Sequence, residues 1–237
     1  GGVGKTTTAA ALGHLAAELG RRAVVMTIDP ARRLAQALGL VQLGHEPERI
    51  PLPGVSGELH AMMLDPKRTF DALIEQYAPS TSARETIFAN RYYQHLSNSL
   101  AGSREFMAME KVFEMAESRA YDLLIVDTPP AQHALDFLDA PARLFVLFEG
   151  TFVNLLLQPY RVAGRIGFDM FRRSSDRLLR VFERLTGYDV LADLSDFFLA
   201  FSGMSAGFKE RSQRVLKLLR QDDTSFVLIC APEPGSL

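Results

Sequence analysis

Four short apolar runs, spaced by helical stretches, predict a three-layer α/β fold built on a mostly parallel, doubly wound sheet. Three of the runs end on an aspartate followed within two residues by proline, and a glycine-rich segment heads the chain. The 237 residues are enough for one substantial α/β domain, and a composition 47% hydrophobic is that of a globular protein.

The first segment is Gly1-Gly2-Val3-Gly4-Lys5-Thr6-Thr7, the last part of the phosphate-loop pattern G-x-x-x-x-G-K-[ST]. The first glycine of that pattern would lie two places before Gly1, so the strand on which such a loop hangs is expected ahead of this sequence, and these residues alone are expected to bind nucleotide poorly. The glycines let the backbone curl around an anion and turn N–H groups inward. Lys5 brings a mobile charge toward the β- and γ-phosphates, and Thr6 offers a hydroxyl to Mg²⁺. Thr6 to Leu19 is rich in Ala and Leu and reads as a helix closed by Gly20, with its positive end toward the anion. The fold class is therefore that of a P-loop NTPase.

The next elements follow in order. Ala23 to Ile28 is a buried-strand run ending at Asp29-Pro30. Leu40 to Glu58, with Pro47, Pro51 and Pro53, reads as loop. Leu59 to Leu64 is a second strand, and Asp65-Pro66 behind it is a helix start with aspartate as N-cap. Residues 66–120 are largely helical. Leu123 to Val126 is a third strand, ending at Asp127-Thr128-Pro129. Residues 134–221 are a second long helical insertion, and Phe226 to Ile229 is a fourth strand ending at Cys230-Ala231-Pro232. The whole chain is read as a single nucleotide-binding domain carrying these two insertions.

Ligands of such sheets lie beyond the carboxyl ends of the strands, where Asp29, Asp65 and Asp127 fall. Asp29 reads either as a helix cap or as the carboxylate that orients the water attacking the γ-phosphate. Phosphoryl transfer depends on positioning, so one well-placed acceptor suffices. Asp127, closing an apolar strand behind a phosphate loop, is the carboxylate for Mg²⁺ or its water shell.

The segments GGVGKTTTAAALG, TIDPARRLAQALG and IVDTPPAQHALDFLDAP together resemble the ArsA-type anion-transporting ATPases and the related ATPases for guided entry of tail-anchored proteins. Asp29, Pro30, Ala31 and Leu34 match the family's switch I pattern; Asp127, Thr128, Pro130, His133 and Leu135 match switch II. The resemblance covers Gly1 to about Leu144 and a short stretch around Ala231-Pro232-Glu233-Pro234. It implies that Gly1, Gly2, Val3, Gly4, Lys5, Thr6 and Thr7 bind phosphates, that Thr6 ligates Mg²⁺ with Asp127 in the outer shell, and that Asp29 activates water. It also implies that Pro232 lies near the base, and that ATP closes a homodimer which hydrolysis reopens. The family's lysine that reaches across the dimer would stand immediately before Gly1. Arg32 and Arg33 replace the family's His-Ser. They either add charge near the γ-phosphate or lie on the solvated side of a helix, the second being preferred.

Composition narrows the partners. One cysteine, Cys230, cannot form the thiolate cluster of an arsenite site, the C-x-x-C zinc pair of the tail-anchor ATPases, or an iron–sulfur cluster, and it fits a reducing, cytoplasmic setting. A net charge of −2 gives no global field for nucleic acid. No run approaches the ~18 apolar residues of a membrane span. Arg165, Arg172, Arg173, Arg177, Arg180 and Arg184 recur at helical spacing, either as a solvated face or as a contact for an anionic membrane surface or an acidic partner. Met62, Met63, Met107, Met109, Met115, Met170 and Met204 are either core filler or the lining of a groove for a client helix. Four functions stay open: an ATPase switch acting on a protein client or membrane partner, the catalytic subunit of an anion transporter, a surface- or DNA-positioning ATPase, and a nucleotide-binding module with little turnover. The sequence has no Asn/Thr-Lys-x-Asp guanine-reading motif, which favours ATP.

Overall fold

The computed structural model describes residues 3–29, 31–90, 93, 103–128 and 204–230. Helix α1 (Lys5–Glu18) leads into strand β1 (Arg22–Thr27), followed by the short helix α2 (Arg33–Ala37). Strands β2 (Glu48–Ile50) and β3 (Glu58–Met63) precede helices α3 (Pro66–Tyr77), α4 (Thr81–Ala89) and α5 (Ser103–Ser118). Strand β4 (Leu123–Asp127) and helix α6 (Ser205–Leu218) complete the described elements.

The strands lie in the order β2-β3-β1-β4, with β1 parallel to both β3 and β4 and β2 antiparallel to β3. The sheet is thus the mostly parallel one expected of a P-loop NTPase, with β1 at its centre. Side chains of a strand alternate between faces. Ala23 and Val25 of β1 accordingly pack with Ala9, Ala10, Ala16 and Ala17 of α1, while Val24 and Met26 pack with Ala108, Met109, Val112 and Phe113 of α5 and with Val215. The small residues along α1 let that helix lie close on the sheet and hold its N-terminus at the strands' carboxyl ends.

Three of the four expected strands form, within one residue of the expected bounds. The run Phe226–Ile229 does not. It lies in an irregular stretch, with Phe226 67%, Val227 66% and Leu228 87% exposed, and Cys230 is exposed beside it. An apolar run becomes a buried strand only where a neighbour offers ladder groups and a covered face. Both edges of β1 are taken by β3 and β4, and among the described residues nothing pairs with 226–229. The stretch 40–58, expected as loop, contains β2, a three-residue edge that buries Ile50 opposite Leu59. Of the methionines read as core filler or groove lining, Met62, Met107, Met109, Met115 and Met204 are buried, as filler between stiffer side chains, and Met63 is half-buried. Met170 and the arginine run 165–184 lie outside the described residues.

The chain divides into two compact units, one of Gly1–Thr69, Gly102–Ala140 and Arg214–Leu237, the other of Phe70–Ala101 and Pro141–Gln213. The first contains all four described strands. In the second, the buried Tyr93 ring meets Phe70 and Phe88, and its hydroxyl donates to Asp71. Burial, reinforced by the Asp71 carboxylate, pushes that phenol well above its ordinary value.

A clip joins the starts of β1 and β4. Asp122 accepts from the Arg22 backbone N–H at 2.9 Å and from the guanidinium at 2.8 Å. These bonds hold the Asp122 carboxyl down at about 2. A depressed acid stabilises the fold above its unfolded pKa of about 4, and that contribution disappears as pH falls toward 2. Asp122→Asn is therefore expected to be less stable than wild type at pH 6, with the difference shrinking between about pH 4 and pH 2, as read by urea unfolding across that range. Because the pair is exposed, the effect is small.

Candidate functional site

The site is built from three chain segments of the sheet-bearing unit that converge at the carboxyl ends of β1 and β4. The first is the phosphate loop. Gly4 is the N-cap of α1 with φ 89°, the left-handed conformation that favours glycine. It supplies no side-chain cap, and the first turn of α1 holds no acidic residue, so the first N–H groups of the helix are offered to an anion. The Gly4 carbonyl accepts from the Thr8 backbone at 2.9 Å and from its hydroxyl at 3.0 Å, which fixes the turn. Lys5 and Thr6 are half-buried, and Thr7 is exposed.

The second segment is the end of β4. Asp127 is buried, and its Oδ2 accepts from the Thr6 hydroxyl at 2.8 Å, a bond spanning 121 residues. The same oxygen accepts from the Thr27 hydroxyl at 3.1 Å. Thr27 was not singled out from the sequence. A polar residue inside the apolar run Ala23–Ile28 was the available signal, but its meaning depends on the β1–β4 register, which sets Thr27 beside Asp127.

The third segment follows β1. Asp29 does not cap a helix: its Oδ1 accepts from the Ala31 N–H at 2.9 Å, an aspartate turn, and α2 begins only at Arg33. Its Oδ2 lies 3.6 Å from the Arg33 guanidinium. The Arg33 side chain is 59% exposed and carries this ion pair to Asp29. Asp65, by contrast, does cap its helix, taking the Arg68 N–H at 3.1 Å.

The residues present suit Mg²⁺. Thr6 and Asp127 are hard oxygen donors, and the hydroxyl that donates its hydrogen to Asp127 keeps lone pairs for a cation. Of the residues expected at the site, Thr6 and Asp127 are brought into direct contact, and Asp29 is linked to them through Thr27, whose Oγ1 accepts the Asp29 N–H at 3.3 Å. Gly1, Gly2 and Pro232, with the switch II residues from Pro129 on, lie outside the described residues.

The chain matches the family model described as anion-transporting ATPase over residues 1–237. It is 27% identical over 237 residues to "ATPase GET3" of Malassezia globosa, covering all of this chain and 62% of that protein. It is 32% identical over 237 residues to "ATPase get3" of Schizosaccharomyces japonicus, covering all of this chain and 64% of that protein. It also shares 35% identity over 166 residues with "Uncharacterized protein SCO2128" of Streptomyces coelicolor, 70% of this chain and 40% of that one. The chain thus spans under two thirds of the length of the curated relatives it matches. With the phosphate loop joined to an aspartate-ended strand, and the family model spanning every residue, the chain belongs to the ArsA family of anion-transporting ATPases.

Proposed function

We propose that the protein binds ATP with Mg²⁺ and hydrolyses it to drive a conformational switch of a homodimer. The observation that carries this reading is the Thr6–Asp127 hydrogen bond, which ties the phosphate loop to the strand-end carboxylate. In this reading Gly1 to Thr7 cradle the phosphates, Lys5 neutralises the β- and γ-oxygens, and Thr6 and Asp127 would hold Mg²⁺, which when bound would supply positive charge beside the phosphates. Asp29 accepts a hydrogen bond from the attacking water and so aims it. Its Oδ2 is available for this at small cost, because the ion pair to Arg33 is exposed and such pairs contribute about 0–1 kcal/mol. Pro232 contributes to the base pocket.

The switch acts on a hydrophobic helix of a protein client or of a membrane partner, in the cytoplasm or at a membrane surface. The resemblance to the tail-anchor ATPases supports this reading. Among the described residues no helix is long and apolar enough to cross a membrane. The family's description favours a second reading, a catalytic subunit for an anion transporter. The solitary Cys230 weighs against arsenite as the anion.

Two measurements on the full-length protein separate these. Lys5→Ala is expected to weaken ATP binding about 10-fold or more, through loss of a charge-assisted contact to phosphate. Proteins with a hydrophobic terminal helix are expected to be retained by wild type in one nucleotide state and not by Lys5→Ala; equal retention by both removes the client reading. Stimulation of turnover by arsenite or another oxyanion establishes the transporter reading instead.

A further inference from the structure

Thr27 sits where both carboxylate segments meet. Its side chain is buried, and its backbone is pinned: its carbonyl accepts the Leu64 N–H at 2.9 Å, and the next residue, Ile28, donates to the Asp127 carbonyl at 3.3 Å. A threonine hydroxyl has one hydrogen to donate. Here that hydrogen goes to Asp127 Oδ2 at 3.1 Å, and a lone pair accepts the Asp29 N–H at 3.3 Å. One hydroxyl on a fixed post therefore holds the carboxylate of one segment and the backbone of the other.

We propose that Thr27 is a positioning residue that couples Asp127 to the Asp29 segment, so that engagement of the strand-end carboxylate sets where Asp29 stands. The inference rests on the ATPase reading above. Asp127 Oδ2 is shared between two hydroxyls, Thr6 on the phosphate loop and Thr27 on β1. Any change in the demand on that oxygen is felt by the Thr27 hydroxyl, and through it by the N–H of Asp29. A carboxylate that accepts two hydroxyl bonds has its plane fixed, which a single bond from Thr6 would not achieve. Valine at this position keeps the branched shape and loses both bonds. Serine keeps both and loses only a methyl group.

The test uses full-length wild type, Thr27→Val and Thr27→Ser, with fluorescent ATP binding followed in chelator and across a Mg²⁺ titration. Trypsin cleavage after the exposed Arg32 and Arg33 reports the Asp29 segment independently of turnover. The expected result for Thr27→Val is binding in chelator within about 2-fold of wild type, with a half-saturating Mg²⁺ concentration raised about 10-fold by loss of a hydrogen bond to a charged group. Cleavage at Arg32 and Arg33 in the ATP-bound state becomes about as fast as in the nucleotide-free protein, and Thr27→Ser restores both readouts to within about 3-fold of wild type. A residue that merely packs β1 would lower the thermal midpoint without moving the Mg²⁺ dependence. Thr27→Ala gives the same readouts if the valine methyl disturbs the strand. The proposal is overturned if Thr27→Val matches wild type in both readouts, or if Thr27→Ser is as impaired as Thr27→Val. Wild type that shows no Mg²⁺-dependent ATP binding overturns the ATPase reading and this role together; wild type that shows it, with Thr27→Val unchanged, overturns this role alone.

Discussion

Asp29→Asn in the full-length protein is expected to bind ATP within about threefold of wild type and to lose about 100-fold or more of kcat, the usual scale for removing a group that positions or deprotonates a nucleophile. The reason for the split is where the two oxygens of Asp29 point their bonds. Oδ1 is committed to the Ala31 N–H, which shapes the turn, and an asparagine carbonyl accepts that bond equally well. Among the described residues Oδ2 is paired with the exposed Arg33, which leaves it as the oxygen assigned to water in this reading. Replacing Oδ2 with an NH₂ turns an acceptor into a donor while leaving the phosphate loop untouched. Equilibrium binding of a fluorescent ATP analogue and single-turnover phosphate release measure the two halves separately. Unchanged turnover removes the role assigned to Asp29.

The second large effect is at Asp127. Asp127→Asn is expected to cut Mg²⁺-dependent turnover about 1,000-fold, comparable with removing a principal electrostatic contact to the reacting centre. Its unfolding free energy should change by no more than about 1 kcal/mol, because the amide oxygen still accepts from Thr6 and Thr27 at the same position. A carboxylate present only to hold the strands together would show the reverse, a destabilised protein with normal turnover. Thermal unfolding and phosphate release on the same preparation distinguish the two, and a well-folded variant with wild-type turnover contradicts the assignment.

The parts of this site that could be read from the sequence are those whose meaning is local. Gly4, Lys5 and Thr6 follow one another, and the chemistry of a phosphate loop demands that order. Asp29 and Asp127 could be placed because each directly closes an apolar run, and strand ends in a parallel sheet face the ligand. Thr27 could not, because its two bonds depend on how β1 pairs with β4, 100 residues away. The Asp29–Arg33 pair had a signal in its four-residue spacing, although the aspartate turn delays α2 to Arg33. Phe226–Ile229 shows the opposite failure. Its composition is that of a buried strand, yet a strand exists only with a neighbour, and composition carries no information about that. β2 was missed because three prolines around it made the segment read as loop, whereas an edge strand of three residues needs only Ile50 to bury. The methionines favoured filler over groove in sequence, and Met62, Met109 and Met115 do pack between the sheet and the helices.

Thr6 and Asp127 are proposed to form a Mg²⁺-dependent ATP-hydrolysing site. The most direct measurement is phosphate release from ATP by the full-length wild-type protein as Mg²⁺ is raised from zero in chelator to millimolar levels. The expected result is release that is negligible in chelator, rises saturably with Mg²⁺ and is abolished in Asp127→Asn. A folded, ATP-binding protein that releases no phosphate at any Mg²⁺ concentration would contradict it, as would release that persists undiminished in chelator.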